Sequence, residues 1–451
     1  MRPTRRDLLL AVLVAVCVAL WVRGAWRVPL RNYAFDFSIN YTGGRLLSVR
    51  GADRPLYDRL TLAIEAQPYT AYTALYTKLF LTYIQTPITA VLTLPYSRLS
   101  FHDARVAFLI TSNALLVLST AAMVWVLRPS RLLIVSACVI FATYEAMFDS
   151  LRLGQVDGVI VASLVLSFVL LRRRYTVAGG VPLALAAILK LSPGVVIGYF
   201  VVTRRWPVVV GAAAGLGVLL LVSVVVAGWH NNVVFVRDIT PRLLKGSTQY
   251  DNVAIGGAVS RAHFGRPSWY YEDEVAAWPT WLRAASLLLN GVLVVGAWAI
   301  ARRDWETGFM LSIAVAILVS PVAWSFYPTW LIPSMLWLLR RWEDRRDRVR
   351  MVLFALLYPF LAIVPAHYTG GVAFDWLHPV SVIPGAEQLG QALVSVAGRI
   401  MTPEVRADAY VIPIKTITLA AYAALIAAEA WTPVKATGRS RGARVAAAGM
   451  H

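Results

Sequence analysis

Asp36 lies in the tract AFDFSINYTGGRLL, a few residues beyond the first long apolar run, with Phe35 and Phe37 on either side. A carboxylate shielded from water has a raised pKa and is a stronger general base. The same residue could instead start a helix, because Asp-Phe-Ser-Ile also reads as an N-cap. Lys190 is the second candidate, set in LKLSP between two apolar stretches. Its stem can stay among apolar groups while its ammonium reaches a phosphate, although snorkelling to water or pairing with an acid would account for it equally. Arg152, Gln155 and Asp157 share LRLGQVDG, where Gly154 and Gly158 permit a tight turn and ordinary loop chemistry is the other reading. Asp251-Asn252 in TQYDNVAIGG reads alone as a turn into a short helix. Glu272-Asp273-Glu274 reads as a solvated acidic run rather than a metal triplet. His102, His230, His263 and His367 show no ligand spacing, and there is no Walker loop, G-x-G-x-x-G or His-Glu-x-x-His pattern, so neither a metal nor a cofactor is expected.

The elements that must position these residues are set by composition. Of 451 residues 58% are hydrophobic and only 15% charged, more apolar surface than a soluble chain of this length could hide. Apolar runs of roughly 20 residues, the length a helix needs to cross hydrocarbon, recur from end to end. An all-α polytopic membrane protein is predicted, with a single transmembrane domain over 1–431. The basic tail 432–451 is expected to be cytoplasmic and disordered.

A net charge of +19 is compatible with nucleic-acid binding, but its distribution argues against it. Basic residues fall in short clusters between apolar runs: Arg2/Arg5/Arg6, Arg128/Arg131, Arg172–Arg174, Arg204/Arg205, Arg302/Arg303, Arg340–Arg350 and the tail from Lys435 to Arg444. That is the positive-inside pattern of cytoplasmic loops. No small-residue cleavage site follows the first run, which reads as an uncleaved span with a cytoplasmic N-terminus. Cys17 and Cys138, the only cysteines, sit in apolar runs and offer no disulfide framework.

Residues 175–203 carry a basic cluster at each end. Two short helices broken around Lys190–Pro193 keep both clusters inside and give about twelve segments with both termini cytoplasmic; one long tilted span is the alternative. Three segments then face outward, at 28–104, 229–280 and 367–407. The first holds TPITAVLTLPY, too short to span and expected to be re-entrant or interfacial. Trp229, Trp281, Trp324, Tyr327 and Trp330 are expected in an aromatic belt at the outer boundary.

Taken in order, Asp36-Phe37 with Tyr41, Pro55-Leu-Tyr-Asp58, Gly154-Gln155-Val156-Asp157, Leu189-Lys190-Leu-Ser-Pro193 with Arg204-Arg205-Trp206, and Asp251-Asn252 before Ala254-Ile255-Gly256 resemble glycosyltransferase family 87 of the GT-C superfamily. The similarity covers roughly residues 30 to 260. It departs at Tyr83-Ile-Gln-Thr-Pro87, where the family often has an aromatic and paired prolines. The resemblance implies a GT-C helical bundle in a bacterial plasma membrane, with its active site facing outward. It implies a polyprenyl-phosphate mannose or arabinose donor, a cell-envelope glycolipid or polysaccharide acceptor, and no nucleic acid. Carried over, Asp36 is the base, Lys190 and Arg152 meet the donor phosphate, and Tyr41, Asp58, Gln155, Asp157 and Asn252 bind substrate. The implied reaction inverts at the anomeric carbon. The absence of a soluble α/β domain agrees with a lipid rather than a nucleotide donor. A transporter or flippase would be expected to show pseudo-repeats and small outer loops; a non-catalytic envelope-assembly protein is the remaining alternative.

Overall fold

The structure is a computed structural model that describes residues 5–31, 34–50, 55–66, 83–247, 251–264, 279–362 and 414–432. The segment 367–407, the tail beyond 432, Asp53 and the acidic run Glu272-Asp273-Glu274 lie outside these residues. Among the described residues every regular element is helical. In chain order the principal helices are α1 (Arg5–Val22), α2 (Phe35–Arg50), α3 (Arg59–Ala66), α4 (Pro87–Thr93), α5 (Phe101–Val126) and α6 (Arg131–Thr143). They continue as α7 (Glu145–Leu153), α8 (Asp157–Arg172), α9 (Thr176–Leu189), α10 (Gly194–Val202), α11 (Trp206–Ala227) and α12 (Ile255–Phe264). The last are α13 (Thr280–Ile300), α14 (Trp305–Leu318), α15 (Ile332–Arg345), α16 (Arg348–Ala362) and α17 (Ile414–Ala427).

By length and composition four of the described helices can cross a membrane: Leu8–Arg31, Phe101–Val126, Trp206–Ala227 and Thr280–Ile300. The pair α6 and α7, bent by 51° at Tyr144, makes up to five. The roughly twelve segments expected from hydropathy also counted shorter helices and stretches outside the described residues. The shorter helices include α9 and α14, which have 14 residues each. At 1.5 Å per residue they reach about 21 Å, short of the ~30 Å of hydrocarbon.

The basic clusters gather at one end of the bundle. Arg172 pairs with Glu306 at 2.8 Å and donates to the Val126 carbonyl. Arg341 pairs with Asp304 at 2.6 Å, and Arg345 and Arg350 both reach Glu429 at 2.6 Å. α1 runs parallel to α6, since Trp21 meets Phe141 and Cys17 lies near Cys138. The Arg5 end of α1 therefore lies toward the same end.

Small residues show how the chain passes 175–203. A Cβ on Gly180 would lie 2.0 Å from the Val208 carbonyl, one on Gly211 1.9 Å from the Val177 carbonyl, and one on Gly215 2.9 Å from the Ala184 Cβ. The backbones of α9 and α11 thus touch, a contact only glycine allows. The Gly180 Cβ would also lie 2.6 Å from the Ala212 N, and across Val177–Gly211, Gly180–Ala212 and Ala184–Gly215 the paired numbers rise together, so the two helices run parallel and the chain must reverse between them, at Lys190–Pro193. Arg174 and Arg204 accordingly lie at one end. Single cysteines beside each, in a background lacking Cys17 and Cys138, should both resist an impermeant thiol reagent in intact cells and both label after permeabilisation. Labelling of only one in intact cells would rule the reversal out.

Four helices end alike, on a left-handed residue: Gly154, Arg174, Arg204 and Arg346, with φ between 56° and 72°. At each, the following N–H bonds back to a carbonyl five residues earlier, as in Gln155 to Ser150 and Arg205 to Phe200. This closes the last turn as a Schellman motif. The three arginines all cap helices at the basic end, where their charge suits the negative end of the helix dipole.

Candidate active site

The opposite end of the bundle collects most of the residues singled out from sequence. α2 begins just after Ala34, a left-handed residue, and carries Asp36 in its first turn. Phe37 is fully buried, packed on Phe108 at 4.8 Å and near Tyr41 and Phe101. It therefore anchors the helix in the core rather than lying along an interface beside the carboxylate. Asp36 Oδ2 accepts a hydrogen bond from Gln155 Nε2 at 2.6 Å, a partner 119 positions away, rather than capping its own helix. Burial raises the Asp36 pKa to about 6, against the opposing pull of the Gln155 bond and of the nearby Lys190 and Arg152.

Gln155 reaches Asp36 because of the glycine before it. At Gly154 (φ 72°) a Cβ would lie 2.4 Å from the Phe37 Cβ, so the turn and α2 press directly together. Gly154→Ala combines an unfavourable left-handed alanine with overpacking, at a combined cost of roughly 2–4 kcal/mol. A lowered melting temperature in detergent together with slowed turnover is expected; a variant matching the native protein in both would show that this contact does not set the site.

Asp157 opens α8 and is fully buried. Its Oδ1 accepts from Lys190 Nζ at 3.2 Å and from Trp330 Nε1 at 2.8 Å, and its Oδ2 from Ser150 Oγ at 2.9 Å. Lys190, at the reversal between α9 and α10, is enclosed by aromatic faces, 4.0 Å from the Tyr327 ring centroid and 4.6 Å from that of Phe326. Tyr327 and Trp330 are thus interior residues, where an aromatic belt was expected, whereas Trp229 and Trp281 are exposed as a belt requires. Arg152 pairs with Asp149 at 2.9 Å, and Asp149 also accepts from Ser325 Oγ.

The remaining candidates have internal contacts. Tyr41 is buried and donates to the Leu99 carbonyl. Asp58 accepts from the backbone and hydroxyl of Thr61 and so caps α3, bonds that hold its pKa below the usual range. Asn252, fully buried, donates to the Ser247 and Pro321 carbonyls and accepts from the N–H groups of Ala254 and Ala323. It fastens the second large connecting segment to the loop after α14. Asn231 does similar work by accepting from the Leu56 N–H.

Asp251, beside the Asn252 clamp, lies within electrostatic range of Asp36, Asp149 and Arg261, and burial raises its pKa to about 7. Arg261 donates to the Asn252 carbonyl, and its burial lowers its own pKa to about 10. Four charged groups here were not singled out from sequence: Arg261, Asp149, the buried Glu145 nearby, and the buried Lys415, which donates to the Leu361 carbonyl. The signal was available, since ionisable residues inside apolar helices mark functional or paired sites.

The arrangement is a partly shielded carboxylate with two cations close by and a second carboxylate beside it. It can take a proton from a hydroxyl while cations stabilise a departing anion.

The family model for glycosyltransferase family 87 matches residues 83–321. That stretch contains Arg152, Gln155, Asp157, Lys190 and Asn252, with Asp36 upstream of it. The chain is 28% identical over 291 residues to the polyprenol-phosphate-mannose-dependent alpha-(1-2)-phosphatidylinositol mannoside mannosyltransferase of Mycobacterium tuberculosis, over 60% of this chain and 65% of that protein. It is 29% identical over 197 residues to the polyprenol-phosphate-mannose-dependent alpha-(1-2)-phosphatidylinositol pentamannoside mannosyltransferase of Mycolicibacterium smegmatis, over 43% of this chain and 45% of that one. The chain thus spans somewhat under two thirds of the first relative and less than half of the second. No solved structure matches it.

Proposed function

Because the chain belongs to glycosyltransferase family 87, we propose that it moves a mannosyl unit from a polyprenyl-phosphate donor to a hydroxyl of an envelope glycolipid or polysaccharide. Mannose is favoured over arabinofuranose because both relatives are polyprenol-phosphate-mannose-dependent mannosyltransferases. The observation that carries this reading is the Asp36 carboxylate, held by Gln155 with Lys190 and Arg152 close by.

In the reaction the acceptor hydroxyl oxygen attacks the anomeric carbon and its proton passes to Asp36, through the oxygen that Gln155 does not occupy. The bond from the anomeric carbon to the phosphate oxygen breaks on the opposite face, and lipid phosphate leaves with the electron pair. Attack opposite the leaving group inverts the centre, so a β-linked donor gives an α-linked product. No acid is needed on the leaving side, because a phosphate leaves as an anion and requires cations instead. Lys190 and Arg152 are assigned to it. Lys190 has one of its three ammonium protons on Asp157, and Arg152 has its Nε outside the bond to Asp149.

The polar end faces the outside of a bacterial plasma membrane in this reading, and the basic end faces the cytoplasm. The test is incubation of purified protein with labelled polyprenyl-phosphate mannose, or arabinose, and envelope glycolipids, followed by product analysis. Mannose in a new α-linkage is expected. No transfer from either donor would favour a transporter or an assembly protein.

A further inference from the structure

We infer that the face beside Asp36 is a polyol subsite, in which Gln155 Oε1 and Asp251 Oδ1 accept hydroxyls of the acceptor sugar flanking the one that reacts. This rests on the base assignment made above for Asp36.

The argument begins with the Gln155 amide. Its Nε2 must be the atom facing Asp36, because a carboxylate only accepts. That fixes the amide orientation and leaves Oε1 on the other side, buried without a hydrogen-bond partner in a residue only 4% exposed. Asp251 Oδ1 is likewise buried without a partner, within electrostatic range of Asp36. Buried polar atoms are almost always paired, and an unmet one next to a candidate base calls for a ligand.

The chemistry of the atoms selects the ligand. Asp36, Gln155 Oε1 and Asp251 Oδ1 are all acceptors, so their ligand must bring donors. An ionised phosphate has none and would be repelled by two carboxylates, which puts the donor's phosphate elsewhere, toward Lys190 and Arg152. A sugar ring presents hydroxyls on adjacent carbons, each a donor. One hydroxyl rests on Asp36 while its ring neighbour donates to Gln155, so the acceptor must carry a free hydroxyl next to the one glycosylated. A hydroxyl donated to Asp251 also favours the ionised form of that carboxylate.

The test uses octyl α-mannoside and its four mono-deoxy analogues with labelled polyprenyl-phosphate mannose. Loss of the reacting hydroxyl abolishes product. Loss of a neighbouring hydroxyl should lower kcat/KM of the native protein roughly 10- to 100-fold, the effect of stranding a buried acceptor. In Gln155→Met the same deletion should cost less than about twofold, because the partner is already gone. Since this variant also unhooks Asp36 and slows every acceptor, only the ratio between parent and deoxy acceptor within a variant is read. Asp251→Ala, which leaves the Asp36–Gln155 bond in place, should flatten the ratio for a hydroxyl on the other side and serves alone if Gln155→Met fails to fold. Should no octyl mannoside be glycosylated, the same ratios are read from the rise in melting temperature that each one causes.

Unchanged ratios in both variants, or a native protein indifferent to every neighbouring hydroxyl, overturn the subsite. An Asp36→Asn protein that transfers normally while these ratios hold would instead remove the base and leave the subsite standing.

Discussion

Asp36→Asn should fold, insert and bind donor, yet transfer sugar at least about 100-fold more slowly, the usual contribution of a positioned general base. Asparagine keeps the size of the side chain, and its carbonyl can still accept from Gln155 Nε2, so the 2.6 Å contact survives in kind. No cation is stranded either, because Lys190 keeps Asp157 and Arg152 keeps Asp149. Only the capacity to take a proton is lost. The same assignment fixes a pH profile. Burial places the Asp36 pKa at about 6, so the ionised, active base predominates above that value. Activity of the native protein should fall as pH drops through about 6, two units above where an ordinary aspartate would place the limb. The residual activity of Asp36→Asn should lack that limb. Asp58→Asn is the control: as a helix cap it should change stability by about 1 kcal/mol and turnover little. Near-normal transfer by Asp36→Asn would remove the mechanism, and a limb retained in that variant would assign the titration to another group.

The order of the motifs made most of this end of the bundle legible in the sequence, because ionisable groups among apolar runs are costly and few. Asp36, Arg152, Gln155, Asp157 and Lys190 do converge, although Asp36 and Lys190 lie more than 150 positions apart. What residue types could not give was the pairing. Lys190 reads equally well as a phosphate ligand or as the partner of an acid, and only the fold shows Asp157 and three aromatic rings around it. The same holds for Tyr327 and Trp330. Aromatic residues near a span end suggest a membrane boundary, and nothing local shows that a short 3-10 segment, Tyr327–Leu331, turns them inward. Asn252 was noticed as part of a motif, but four backbone partners on both sides of it are a tertiary fact.

Breaking the Lys190–Asp157 pair should have the largest effect on stability. The side chains are 5% and 0% exposed, so neither charge can turn to water when its partner is removed. Lys190→Met leaves the Asp157 carboxylate with Ser150 and Trp330 as donors but no counter-charge, and Asp157→Asn leaves the ammonium a neutral carbonyl and aromatic faces in place of its paired carboxylate. Each single change should cost about 3–5 kcal/mol, the penalty of a stranded buried charge. A marked fall in melting temperature in detergent would report it. The double variant Lys190→Met/Asp157→Asn removes both charges and retains a group able to accept from Trp330, so it should recover most of the lost stability. This recovery separates the two roles of Lys190. If its only task is to neutralise Asp157, the double variant recovers transfer together with stability. If its ammonium also meets the donor phosphate, the double variant is stable yet remains slow by roughly 10- to 100-fold, the worth of one charge-assisted contact. Single variants that melt like the native protein would show that the pair is not buried as described. The proposal for the donor phosphate predicts the stable but slow double variant.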